Sequence, residues 1–91
     1  MLTIVFIISG VCAMEEAQNN FRINLGRRIE QLRKQKKLEQ GELAAIIGKD
    51  KQFINRYERQ GANPTAYILV QIANALKVTA NDLLDFSKLE S

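Results

Sequence analysis

A chain of 91 residues with a net charge of +3, nearly half of it apolar and a quarter charged, supports one small globular domain and excludes a disordered chain. The lone Cys12 and the absence of histidine exclude an internal disulfide framework, leave a structural zinc ion without ligands and rule out a nucleophile–histidine dyad. The basic excess fits an anionic partner and is concentrated: residues 15–37 hold seven Lys/Arg against three Glu, residues 38–59 balance, and the remainder is slightly acidic.

The opening "MLTIVFIISGVCAM" differs in character from the rest of the chain. Its apolar run lacks the preceding positive charge of a signal peptide and is too short to span a bilayer. Three readings stay open: a start assigned too early, with Met14 as the first residue; a signal or membrane-surface segment; or an added strand or helix. "EEAQNNF" reads as a polar lead-in, so residues 1–21 form an N-terminal segment, 22–86 the domain and 87–91 a tail.

The spacing predicts a first helix over 22–36, with Leu25, Ile29 and Leu32 on one stripe and Arg27, Arg28, Lys34 and Gln35 off it. A second helix runs over 40–47, burying Leu43, Ala44 and Ile47. Gly48 suits the left-handed position after a helix, and Asp50 can cap a third helix from 51 to 59 or 60. "GANP" is a loop, because Pro64 disfavours helix in the residue before it. Thr65 can cap a fourth helix over 66–76, with Leu69, Ile72, Ala73 and Leu76 on its stripe. Thr79 and Asp82 resemble a capping box opening a short fifth helix, 80–86. No alternating strand pattern occurs after residue 21, and there is no internal repeat.

On a helical wheel the third helix puts Ile54 and Tyr57 on one face, with Phe53 at its edge. Lys51, Gln52, Asn55, Arg56 and Arg59 crowd the other. An α-helix fits the major groove of duplex DNA, where Arg, Lys, Gln and Asn pair with guanine and adenine edges. A polar helix held at a fixed angle by the turn at Gly48 and Lys49 is therefore a candidate recognition helix, with Lys51 and Gln52 at the end that reaches bases. Phe53 suits packing, with contact to a thymine methyl as the alternative. Lys34, Lys36 and Lys37 suit a solvated face. Phe86 and Leu89 either cover the end of the domain or offer a dimer surface.

The run "LGRRIEQLRKQKKLEQGELAAIIGKDKQFINRYERQGANPTAYILVQIANALKVTANDLL" resembles the lambda repressor/Cro-like (XRE-type) helix-turn-helix family. "LEQGELA", "IG", "INRYERQGANPT", "IANALKV" and "NDLL" stand in that family's order. The resemblance implies an all-α, compact five-helix fold that dimerises on operator DNA. It implies that Gln40 opens the second helix and bonds a phosphate, that Lys51, Gln52, Asn55 and Arg56 face bases and phosphates, and that Arg33 pairs with Glu58 inside the domain. The sequence departs from the family where Glu39 replaces the usual Ser or Thr cap, which predicts a weaker cap. Gly41 weakens the same helix end. Lys37 and Lys77 replace glycines, which puts a side chain where a positive φ is needed. Gln60 precedes Gly61 where the family has Gly at once.

The expected protein is a cytoplasmic transcriptional regulator, a homodimeric repressor on a pseudo-palindromic operator, acting by steric occupancy without catalytic residues, metal or cofactor. A single small domain leaves its regulation to concentration, a partner protein or proteolysis. An antitoxin with a toxin partner and a restriction–modification controller fit the same fold. The rival of another class is a protein-interaction module that does not bind DNA, and the basic polar face of the third helix argues against it.

Overall fold

In the computed structural model, which describes the backbone of residues 2–89 and the side chains of residues 15–89, five α-helices succeed one another: α1 (Leu2–Gln35), α2 (Gln40–Ile46), α3 (Lys51–Gln60), α4 (Ala66–Ala75) and α5 (Ala80–Leu83). A 3-10 turn, Phe86–Lys88, closes the order, and no strand occurs among the described residues.

The core forms where the predicted apolar stripes converge. Leu25, Ile29 and Leu32 of α1 meet Leu43 and Ala44 of α2, Ile54 and Tyr57 of α3, Ile72 and Ala73 of α4, and Leu76 and Leu83 beyond it. Helix α3 packs chiefly on α1 and α2. Its closest approach to α1 is set by Gly26, where an added Cβ would lie 2.1 Å from the Tyr57 carbonyl oxygen. Arg28, read as lying off the apolar stripe, is nevertheless buried: its Nε donates to the Asp82 carbonyl at 2.9 Å and an Nη donates to Gln31 at 2.6 Å, so a charged side chain ties α1 to α5.

Local chemistry sets the helix ends. Asp50 accepts from the Phe53 N–H at 2.9 Å and Thr65 from the Ile68 N–H at 3.2 Å. Thr79 and Asp82 exchange the two bonds of a capping box at 3.0 and 3.1 Å. Glu39 is less deficient as a cap than expected, because its own N–H donates to the Glu42 carboxylate at 2.9 Å. Gly48 ends α2 at φ 71°, with the Lys49 N–H returning to the Ala44 carbonyl at 2.8 Å. Lys37 and Lys77 hold the same post as non-glycine residues, at φ 58° and 59°. Gly61, one residue later than the family spacing, ends α3 at φ 64°.

Two helix boundaries differ from the sequence reading by more than one residue. Helix α1 begins at Leu2 rather than residue 22, so the polar lead-in is helical and the division at 21/22 falls inside one helix. No proline interrupts that stretch, and Phe21 anchors it edge-on against Phe86 at 5.7 Å. The fifth helix stops at Leu83, because Asp85 accepts from the Ser87 N–H at 3.2 Å and starts a separate turn. The readings that concern the side chains of the first fourteen residues, and the last two residues of the tail, lie outside the described residues.

Candidate nucleic-acid interface

Helices α2 and α3 are joined by residues 47–50, a link shaped by the Gly48 turn and the Asp50 cap. Burying Ile54 and Tyr57 orients α3 about its axis, which turns Lys51, Gln52, Arg56 and Arg59 to solvent and leaves Asn55 half-buried beside α2. Lys49, Lys51 and Arg56 have no carboxylate partner within ion-pair range among the described residues. Arg59 differs: its Nη2 lies 2.7 Å from Glu30 on α1, which directs this side chain back along the domain.

Under this face runs a connected polar cluster. Arg33 meets Glu58 through two bonds, Nε to Oε2 at 2.8 Å and Nη2 to Oε1 at 2.9 Å, and its Nη1 donates to the Leu38 carbonyl at 2.7 Å. The Glu58 side chain is fully buried and that of Arg33 nearly so. Hydrogen bonding to Glu58 is the main cause that raises the Arg33 pKa, against the opposing effect of burial. The pair that the resemblance implied is therefore present. Gln40, first residue of α2, donates from Nε2 to Glu58 at 3.0 Å and to Asn55 at 3.3 Å. Its amide nitrogen is thus engaged with α3, while its backbone stands at the open N-terminal end of α2, where unpaired N–H groups attract anions.

Gln40, Lys51, Asn55 and Arg59 line one open cleft together with Arg33, Gly41 and the two acidic residues Glu39 and Glu42. Gln52 and Arg56 are not in that cleft. Arg56 instead lies over the Phe53 ring, its Cζ 5.9 Å from the centroid, and Lys49 approaches the same ring with Nζ at 5.3 Å. Phe53 leans on Tyr57 at 5.3 Å. Burial pushes the Tyr57 phenol up from its ordinary value, with Arg56 partly opposing.

Three contributors have no signature in the sequence. Glu30, which holds Arg59, and Gly26, which seats α3, sit on α1 without any local sign of their role. Lys49 reads only as part of the turn, although its place beside Gly48 puts it at the foot of the polar face.

Residues 29–83 match the helix-turn-helix family HTH_3. The chain belongs to the helix-turn-helix family. The match begins within α1, so most of that helix precedes it. This helix-turn-helix protein is also similar in structure to the restriction-modification controller protein C.AhdI from Aeromonas hydrophila, with a TM-score of 0.64 and 30% identity over 67% of this chain and 92% of that one. No curated protein matches it. Family and fold together make it a DNA-binding regulator of the lambda repressor-like class.

Proposed function

We propose that this helix-turn-helix protein is a transcriptional repressor that occupies a pseudo-palindromic operator as a homodimer. The observation that carries the reading is the division of α3. Ile54 and Tyr57 are buried, whereas Lys51, Gln52 and Arg56 project outward, without an ion pair among the described residues and with Arg56 resting only on the Phe53 ring. Lys51, Gln52, Asn55 and Arg56 then face bases and phosphates in the major groove, with Arg59 reaching the flanking backbone. The backbone N–H groups at the N-terminus of α2, beginning with that of Gln40, hold a phosphate and set the register, a contact that carries no sequence information. Occupancy excludes polymerase from the site, with no catalytic step.

One recognition helix reads only a few base pairs, too few for selection within a genome, and a two-fold pair doubles the contact set at half-sites about one helical turn apart. For the dimer surface the C-terminal end supplies Leu84, which is 37% exposed, with Leu89 nearby. Phe86 is less available than its sequence position suggests, since it packs on the core and on Phe21. No helix among the described residues is long and apolar enough to cross a membrane, and access to an operator assigns the protein to the cytoplasm. The likeness to C.AhdI favours a second reading, that the operator controls a restriction–modification locus.

Selection of binding sites from random duplexes tests the proposal. The expected result is a two-fold-symmetric consensus, with affinity falling linearly in log salt by about 0.9 per neutralised phosphate. Gln52→Ala then relaxes base preference at defined positions at a cost of about 1–3 kcal/mol. Binding without salt dependence, or to no duplex at all, removes the DNA reading.

A further inference from the structure

Phe53 is the third residue of α3, half-buried, and its ring rests on the buried Tyr57. That contact restrains the ring from the core side. Two cations come within cation–π range of the ring, Lys49 Nζ at 5.3 Å and Arg56 Cζ at 5.9 Å. Arg56 lies three residues after Phe53, so the helix itself places both side chains on one face.

The contrast with Arg59 matters. Arg59 is held in an ion pair, its Nη2 2.7 Å from the Glu30 carboxylate. A ring face holds a guanidinium without supplying a carboxylate acceptor. The donors of Arg56 therefore stay available for a guanine edge or a phosphate. An arginine free to explore its rotamers must be ordered when it binds, and that ordering weakens the complex. A ring that already restricts the guanidinium reduces the loss. Lys49 shares the ring, so the same aromatic also links the turn to the reading face.

We infer that Phe53 is a positioning residue for operator recognition, acting through Arg56 rather than by touching a base itself. The inference rests on the operator reading above. It assigns to Phe53 a share of specificity that neither core packing nor contact with a thymine methyl would produce.

The test uses the full chain, with a duplex obtained by site selection and a scrambled duplex as competitor. Specific and non-specific affinities are measured for wild type, Phe53→Leu, Phe53→Tyr, Arg56→Ala and the double variant Phe53→Leu/Arg56→Ala, with thermal melting alongside. Leucine keeps an apolar side chain on Tyr57 but has no π face. Its expected effect is a loss of about two- to fivefold in the specific-to-non-specific ratio per recognition helix, the scale of an exposed cation–π contact. Tyrosine restores the ratio, and the leucine effect disappears in the Arg56→Ala background. If Phe53→Leu melts the domain at assay temperature, pentafluorophenylalanine at position 53 keeps the ring while reversing its quadrupole, and the same loss is expected. A full leucine or fluorinated-ring effect in the Arg56→Ala background, or no effect beside an intact Arg56, overturns the inference while leaving operator binding in place. A wild-type chain that distinguishes no duplexes overturns both.

Discussion

Replacing Arg33 with methionine would leave the Glu58 carboxylate inside the domain without its main partner. The Glu58 side chain has no solvent exposure, and it would lose two charge-assisted bonds of 2.8 and 2.9 Å, retaining only the Gln40 amide at 3.0 Å. The Leu38 carbonyl would lose its donor as well. Removing one partner of a buried pair costs roughly 3–5 kcal/mol, a large share of the about 5–15 kcal/mol that holds a domain together. At about 4–8 °C per kcal/mol for a domain of this size, the melting temperature should fall by at least about 12 °C. Circular dichroism melts of Arg33→Met, Glu58→Leu and the double variant form the assay. Each single variant should be severely destabilised, and the double should recover a substantial part, since two apolar side chains leave no orphaned charge. Because the Arg33 pKa is raised above its ordinary value, the contribution of its protonation is complete below that value and is lost only at higher pH. Unchanged melting of Arg33→Met together with lost DNA affinity would refute the argument and make Arg33 a DNA contact.

Gly26→Ala should destabilise the domain by about 1–3 kcal/mol or more despite alanine's better helix propensity, because its Cβ would meet the Tyr57 carbonyl at 2.1 Å and push α3 away; urea denaturation reads this directly. Lys37→Gly and Lys77→Gly should each raise stability by roughly 0.5–1 kcal/mol, the left-handed penalty of about 1–2 kcal/mol offset in part by the added freedom of an unfolded glycine; the same denaturation curves measure the gain. Bonds from the Thr79 backbone and hydroxyl lower the Asp82 pKa below its ordinary value, so its contribution is present above the ordinary carboxylate range and lost as pH falls through the folded value; melting curves of wild type and Asp82→Asn should therefore converge in acid. On the homodimer proposal, Leu84→Asp should weaken dimerisation and specific binding while leaving the melting curve nearly intact, whereas Phe86→Asp should unfold the domain; sedimentation showing an unaltered dimer for Leu84→Asp would relocate the proposed interface.

The apolar stripes are legible in the sequence because burial is periodic: Leu25, Ile29 and Leu32 are spaced by helical turns, and all three are buried. The Gly48 turn and the Asp50, Thr65 and Thr79 caps are legible because each answers a local backbone need. Arg28 is not, since a basic residue off the apolar stripe resembles solvated surface until the distant Asp82 carbonyl meets it. The start of α1 is hidden for a related reason. "EEAQNNF" has no apolar periodicity, and what fixes its end is Phe21 against Phe86, at the far end of the chain. The residues of the polar face can be named from the wheel, but their connections cannot: Glu30 holding Arg59, and Gln40 holding Asn55, arise from pairings between helices.

Under the operator reading, the wiring of Gln40, Asn55, Glu58 and Arg33 divides the proposed DNA-facing surface into fixed and adjustable positions. A change at residue 55 disturbs a bond that reaches the stability of the whole domain, so most exchanges there alter folding and recognition together. Residues 51 and 52 have no such tie among the described residues, and variants at those two places should be exchangeable without disturbing the scaffold. Under the operator reading, diversification of site preference would proceed first through 51 and 52. Libraries meant to retarget the protein should randomise that pair and keep 33, 40, 55 and 58 as a block.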